Sequence, residues 1–465
     1  MRILVTGATG FVGRPLVKRL LERGHEIEAF SRDSERAAAV LPARCSVDGW
    51  HPPEGVSLTH LETLDAVVHL AGEGIADKRW SEARKRALYS SRVDTTRALV
   101  TAMRDLPAER RPRTFVCASA TGYYGDRGDE LLDEDSPPGS GFLPKTCVDW
   151  EKAAYAARDF GTRVVAMRTG VVLGRNGGAL EKMLPPFRLG AGGRLGSGKQ
   201  WMSWIHLNDL VELFCLAIEN SDADGAINGV APNPVTNAEL TQQLARAVNR
   251  PALLPVPAAM LKVAFGEMAT VLLDGSRIRP AAAERLGFQF KFPELGAALD
   301  DICRNFDHEL EREQWLPYPA DAVFSFFSDA RNLQRITPPF VHFNVRDIST
   351  DKMQQGTRLS YSLRLHGIPV RWSSRIDDWE PNQRFVDSQT SGPYALWHHT
   401  HEFEPYDGGT IVRDRVRYRV PFGAVGDLVA GGMVRKDLER IFEYRRLQMM
   451  SLFPPAATQK AWDEV

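Results

Sequence analysis

A doubly wound α/β domain followed by a smaller α+β domain is the fold this sequence predicts. Three observations carry the expectation. Up to about residue 175, short apolar runs alternate with helical patterns. Repeated strand–helix units of that kind build a parallel sheet covered on both faces. A glycine triplet, Gly7, Gly10 and Gly13, lies between the first apolar run and the first helix. Beyond about residue 312 come runs such as 413–420, whose polarity alternates with period two, as in a half-buried antiparallel strand.

The elements follow in order. Residues 3–6, 27–30, 66–70, 115–118 and 164–167 read as strands. Between the first two, Leu16, Val17, Leu20 and Leu21 share one helical face, which Gly24 closes. From Arg175 the glycines at 177, 178, 190, 192, 193, 196 and 198 mark a loop-rich stretch, with helices at 208–219 and 237–248. Segments of about 175–205 and 228–300 are expected to build the substrate side of a cleft at the sheet edge. A last short helix spans 292–302. The boundary falls at about 304–308, which gives domains of 1–303 and 308–455. The second domain opens on Pro317-Tyr318-Pro319 and a helix at 321–331, continues as strands, and ends in a long helix over 425–450.

With 465 residues the chain has room for two to four domains. Lysine and arginine number 58 against 59 acidic residues, a net charge of −1. That balance offers no general attraction for nucleic acid or an anionic membrane, so neither is expected as a partner. The five cysteines, at 45, 117, 147, 215 and 303, form no CxxC pair. A disulfide framework and a cysteine zinc site are therefore not expected. No run of 18 uncharged apolar residues occurs; 253–273 comes nearest but carries Lys262 and Glu267. The first strand begins at residue 3, so no secretory leader and a cytoplasmic location are the expectation.

The sharpest motif is Gly7-Ala8-Thr9-Gly10-Phe11-Val12-Gly13. A strand before it and a helix after it are the context in which glycines let a pyrophosphate approach backbone amides at a helix N-terminus. The second strand ends near Phe30. An acid there reads the ribose hydroxyl of NAD, whereas an arginine reads the 2′-phosphate of NADP. Ser31 and Arg32 stand next, with Asp33 as the rival. Arg32 is nearer the strand tip and a guanidinium suits phosphate, so NADP(H) is favoured and NAD(H) stays open. His69-Leu70-Ala71-Gly72, with Glu73 following, ends another strand at the same edge. Its small residues would let backbone pass close to the adenine-ribose side.

These residues resemble the extended, epimerase-like branch of the short-chain dehydrogenase/reductase superfamily. So do Ser119-Ala120-Thr121-Gly122-Tyr123-Tyr124-Gly125, the stretch 168–174, and Trp204-Ile205-His206-Leu207-Asn208-Asp209-Leu210. Residues 192–200 and 228–232 look more narrowly like a poorly characterised epimerase-like oxidoreductase subfamily. The resemblance covers about 1–302 and implies a Rossmann-type sheet that binds NAD(P). Residues 308–455 are similar to helix-grip domains of the polyketide-cyclase and lipid-transfer superfamily, which implies an apolar cavity between the last helix and a curved sheet.

The superfamily's reductases carry a Tyr-x-x-x-Lys pair and a nearby hydroxyl. Here Cys147 takes the tyrosine position and Glu151 the lysine position. A carboxylate raises a neighbouring thiol's pKa, so the charge logic is reversed. The hydroxyl position falls on Ala120, flanked by Ser119 and Thr121. The candidate catalytic residues are therefore Tyr124, Thr121 and Ser119, with Cys147 read as a small buried helix residue.

Two further groups stand in the second domain. His399 and His401 share a strand face with Trp397 and Phe403; a shared metal would need His342 or His366 as a third ligand. No acid or cysteine of suitable spacing supports that, so no metal is expected and the pair reads as polar marks in an apolar cavity. Arg413, Arg415, Arg417 and Arg419 form a basic stripe, read as a salt-bridged sheet face with Asp377, Asp378 and Glu380 as partners. The function expected is an NADP(H)-binding, epimerase-like oxidoreductase acting on an apolar small molecule. The alternative is a non-catalytic protein that senses NADP(H) and binds a hydrophobic ligand.

Overall fold

In the computed structural model, which describes residues 1–52, 54, 56–58, 63–175, 177–303 and 307–455 (backbone alone at 424), Arg2–Thr6 forms a buried strand. Among the described residues, seven parallel strands make one sheet. Their order is Gly225–Gly229, Arg163–Thr169, Thr114–Ala120, Ala66–His69, Arg2–Thr6, Glu26–Ser31 and Ser46–Gly49. Each of the five strands expected from the sequence is present. The chain leaves Arg2–Thr6 toward one side for Glu26–Ser31 and returns on the other side as Ala66–His69. The strand order therefore reverses there, which opens a crevice beyond the carboxyl ends of these strands. The helix Gly13–Glu22 buries Leu16, Val17 and Leu20 completely, each contributing about 1.5–3 kcal/mol of apolar burial. Leu21 is only half-buried.

The expected helix over 292–302 begins later, at Leu295–Cys303. The amides of Lys291 and Phe292 donate to the Asp209 carboxylate at 2.9 Å each, which holds that stretch as loop.

The described residues fall into two compact units, 1–37 with 44–303 and 38–43 with 307–455. The junction expected at 304–308 includes 304–306, which lie outside the described residues. In the second unit, seven antiparallel strands run in the order His308–Leu316, Gly409–Arg419, Leu396–Tyr406, Arg384–Ser391, Ile368–Glu380, Arg358–Leu365 and Asn344–Ile348. The outermost strand, Asn344–Ile348, slips register between Val345 and Asp347. The helix Gly432–Leu452 buries Leu438, Phe442, Arg445 and Met449, the spacing of one helical face. Leu438 and Phe442 pack on Leu310, Val416, Tyr418 and Val420 of the sheet. The expected helix over 321–331 ends earlier, as Ala320–Phe327, because Asp329 accepts from the Arg331 amide and starts a separate turn.

The aromatic side chains of Phe324, Phe327, Phe385 and Phe403 fill the centre of this unit. The cavity between helix and sheet, lined by Phe327, Val412, Asp414, Phe442, Arg445 and Met449, measures about 20 Å³, room for one water. Among the described residues, the phenylalanine rings pack beside this small cavity, at the place where the helix-grip resemblance implies an apolar one. Among the described residues, no helix is long and apolar enough to cross a membrane.

Candidate functional site

The glycine turn sits at the mouth of the crevice. Gly7 has φ +71°, a left-handed conformation, and a Cβ there would meet the Leu70 carbonyl carbon at 2.7 Å. At Gly13 a Cβ would lie 2.2 Å from the Gly7 carbonyl oxygen. The two positions thus let the turn press against the 70–71 backbone and let the helix start directly on the turn. The Phe11 and Val12 amides stand at the head of that helix, where the first turn lacks intrahelical acceptors. The Phe11 ring points away toward Gly174, Gly177 and Gly178, so Phe11 and Val12 offer backbone, not side chain. The Thr9 carbonyl accepts from the Arg14 guanidinium at 3.1 Å.

At the next strand tip, Ser31 is the last residue of Glu26–Ser31 and Arg32 follows it. Asp33 is turned elsewhere: its carboxylate accepts from the Arg36 amide at 2.9 Å and caps the helix Ser34–Val40. The Ser31 hydroxyl donates to the Asp33 carbonyl at 3.0 Å. The Arg32 side chain is 73 % exposed, with only a 3.6 Å contact to Glu73. An ion pair so exposed contributes little and leaves the guanidinium available. Glu73 is held mainly by Arg84 at 3.0 Å, which keeps its carboxyl below the usual range. Leu70 and Ala71 line the turn with their backbone, and their amides face the Thr6 carbonyl and hydroxyl. The structure thereby gathers Gly7, Thr9, Gly10, Phe11, Val12, Gly13, Ser31, Arg32, Leu70, Ala71, Gly72 and Glu73 around one sheet edge.

Beneath this edge His69 is fully buried and shares a 2.6 Å hydrogen bond with the Thr6 hydroxyl. Burial drives its pKa down to about 4. An unfolded imidazole titrates near ~6.5, so unfolding takes up a proton below that pH. The first unit should therefore lose on the order of 3 kcal/mol as pH falls from about 6.5 to 4. His206, also driven down to about 4 by burial, adds a loss of the same sign. Urea midpoints measured across that range check this, and His69→Asn should flatten the wild-type slope.

The catalytic candidates fare differently. The Ser119 hydroxyl donates to Glu151 Oε1 at 2.7 Å. Glu151 is buried and gripped by both arms of Arg168, at 2.9 Å each. Arg168 also donates to the Tyr124 hydroxyl at 2.9 Å, and Tyr124 donates to Asn228 Oδ1 at 2.7 Å. The Arg168 guanidinium lies 3.5 Å above the Tyr123 ring. Tyr124 is completely buried, and burial pushes its pKa up to about 12. The structure thus places the Tyr124 and Ser119 hydroxyls in one buried hydrogen-bonded network. Thr121, half-buried at the strand's exit, makes only a 3.4 Å contact to the Thr169 carbonyl. Cys147 is buried as expected, and burial with Glu151 nearby pushes its thiol up to about 12.

Sequence reasoning missed the centre of this network. Arg168 is itself buried and follows the buried apolar run 164–167 in the same strand. A charge in such a strand demands a buried partner, and Glu151, already singled out, is that partner. It also missed Arg92, which donates to the Glu73 and Leu88 carbonyls at 2.9 and 3.1 Å and backs Gly72.

In the second unit, the basic stripe is paired as expected, but with different acids. Arg413 meets Glu313 and Glu402, Arg415 meets Glu311 and Glu309, and Arg417 and Arg419 meet Asp307. Strand order explains the difference, since Ile368–Glu380 is not adjacent to Gly409–Arg419. Asp377 pairs with Arg375, and Asp378 and Glu380 pair with Arg384. His342 and His366 lie away from His399 and His401, His366 being bound to Asp437 at 2.7 Å. Acids absent from the sequence reading, Asp387 and Asp414, stand beside the histidine pair instead.

Comparison with known proteins adds the following. Residues 3–229 match the NAD dependent epimerase/dehydratase family, 256–302 a domain of unknown function (DUF1731), and 316–443 the polyketide cyclase / dehydrase and lipid transport family. The chain is 44 % identical over 304 residues to an Arabidopsis thaliana protein called epimerase family protein SDR39U1 homolog, chloroplastic, spanning 65 % of this chain and 87 % of that one. It is 40 % identical over 306 residues to human epimerase family protein SDR39U1, spanning 65 % and 99 %. A crystal structure of the human protein with NADPH is similar at a TM-score of 0.59 and 39 % identity, over 66 % of this chain and 100 % of that one.

Proposed function

The chain belongs to the NAD dependent epimerase/dehydratase family, and from that premise we propose that it binds NADP(H) and acts as an epimerase-like oxidoreductase on a small apolar molecule. One observation carries the cofactor choice. Arg32 is 73 % exposed at the strand tip where a 2′-phosphate would lie, with a 3.6 Å ion pair to Glu73, while Asp33, the rival reader of a ribose hydroxyl, is spent on a helix cap. The cradle at Gly7 and Gly13 fits a diphosphate held by backbone amides. The human relative's structure with NADPH supports the same choice.

When bound, NADPH supplies a hydride. This chain's own residues would hold the diphosphate on the Phe11 and Val12 amides and the 2′-phosphate on Arg32. They would face the crevice with the 71–73 backbone. Thr121 is the one predicted hydroxyl left to orient an acceptor. The match to polyketide cyclase and lipid transport proteins supports an apolar ligand for the second unit. That ligand requires the rings around Phe327 and Phe403 to yield, given the small cavity.

Titrating the full chain with NADPH and with NADH, read by tryptophan fluorescence, tests the proposal. NADPH should bind more tightly. Arg32→Asp should remove charge-assisted phosphate bonds of about 1.5–3 kcal/mol, weakening NADPH about 10- to 100-fold. Equal affinity for both nucleotides, or an unaffected variant, would overturn it.

A second reading is favoured by the closed Ser119–Glu151–Arg168–Tyr124 network. With the usual dyad replaced by a buried ion pair, NADP(H) would be sensed and not consumed. A carbonyl library separates the two. Oxidation of NADPH that Thr121→Val slows supports the enzyme, whereas tight NADPH binding with no turnover supports the sensor.

A further inference from the structure

We propose that Asp387, His399 and His401 form a binding site for one divalent cation of the zinc class, inside the second unit. The three side chains come from adjacent strands. Asp387 lies on Arg384–Ser391, paired directly with His399 of Leu396–Tyr406, and His401 follows two residues on along the same face. Asp387 Oδ1 is 3.6 Å from His399 Nδ1 and 3.5 Å from His401 Nε2. Those separations are too long for direct hydrogen bonds. They match the edge of a tetrahedron about 3.4 Å long, which follows from metal–ligand bonds of about 2.1 Å.

The arrangement around the three ligands favours a cation. Asp414 Oδ1 shares a 2.9 Å hydrogen bond with His399 Nε2, and His401 Nδ1 lies 2.8 Å from the same oxygen without hydrogen-bond geometry. With a proton on His399 Nε2, the inward Nδ1 of that ring presents a lone pair. One ligating atom from each of Asp387, His399 and His401 lies within 4.8 Å of the other two, and a positive charge between them is stabilised by all three. A carboxylate behind a metal-binding imidazole is the usual orienting partner. Here the buried Asp414 orients His399 and is itself anchored by Arg445 at 3.2 Å. The histidines are 5 % exposed, and the Phe385 ring stacks on His401 at 4.2 Å, which fixes the imidazole planes. Three protein ligands leave the fourth tetrahedral position for a water or an oxygen of a bound molecule, as in catalytic rather than structural zinc sites. A shared proton is the competing occupant.

The test uses the full chain, stripped by a chelator, loaded with zinc and dialysed. Plasma mass spectrometry should then find about one zinc per chain, and cobalt(II) should give the intense visible absorption of a tetrahedral site. Asp387→Asn, at a partly exposed position expected to fold, and His401→Gln should each abolish retention. Asp414→Asn should weaken zinc about 10- to 100-fold. His366→Gln, outside the cluster, should retain it, and far-UV circular dichroism checks that each variant folds. The proposal is overturned if folded wild type retains no zinc, or if Asp387→Asn retains as much as wild type. It is likewise overturned if nitrogen NMR shows an imidazolium at His401 that excess zinc does not displace.

Discussion

Arg168→Met should destabilise the first unit by about 3–5 kcal/mol, the cost of leaving one member of a buried ion pair without its partner. The reason is local. Without the guanidinium, Glu151 keeps, among the described residues, the Ser119 hydroxyl as its hydrogen-bond donor. Tyr124 loses one of its two bonds, and Tyr123 loses the cation over its ring. Urea unfolding monitored by tryptophan fluorescence measures the loss. Adding Glu151→Leu should recover part of it, because two apolar side chains replace a pair whose desolvation is costly. A single variant as stable as wild type would show that the pair carries no weight. The same geometry predicts that restoring the family's dyad fails. Cys147→Tyr combined with Glu151→Lys would set an ammonium against Arg168 where the carboxylate now sits, and the doubly substituted chain should unfold at lower urea than either parent.

Gly13→Ala should abolish NADPH binding at concentrations that saturate wild type, a loss of at least about 100-fold on the preceding proposal. The added methyl would lie 2.2 Å from the Gly7 oxygen and 2.8 Å from the Ala8 backbone. No flexible side chain is there to yield, so the helix must withdraw from the turn and carry the Phe11 and Val12 amides with it. Overpacking of this kind costs about 1–3 kcal/mol, so circular dichroism should still show a folded chain. Calorimetric titration with NADPH reads the effect. Wild-type affinity in a folded Gly13→Ala chain would place the diphosphate elsewhere.

The parallel sheet was legible because each strand is a short apolar run bounded by a helix with its own apolar face, as at Leu16, Val17 and Leu20. The glycine turn was legible because glycine spacing encodes backbone clearance, which needs no knowledge of distant residues. Asp33 against Arg32 could not be decided from spacing. It turned on a cap formed with Arg36, a local bond that the sequence permits but does not require. The buried polar network was illegible for a different reason. Ser119, Glu151, Arg168, Tyr124 and Asn228 are brought together by strand and helix packing across more than 100 positions, from 119 to 228. Position-by-position likeness to a reductase identifies where the dyad should be, not what the substituted residues bind. The Asp387–His399 pairing likewise depends on strand order, which alternating polarity alone leaves open.

The register slip in Asn344–Ile348 has a bearing on solution behaviour. That strand is the last of its sheet, and its outer rim is a row of amides and carbonyls that an incoming chain could extend. The slip interrupts the even spacing such templating needs, and it does so where Arg346 and Asp347 are exposed. Growth of fibrils from this rim is thereby disfavoured, and deleting Arg346 to make the strand regular should shorten the lag before aggregation at high protein concentration.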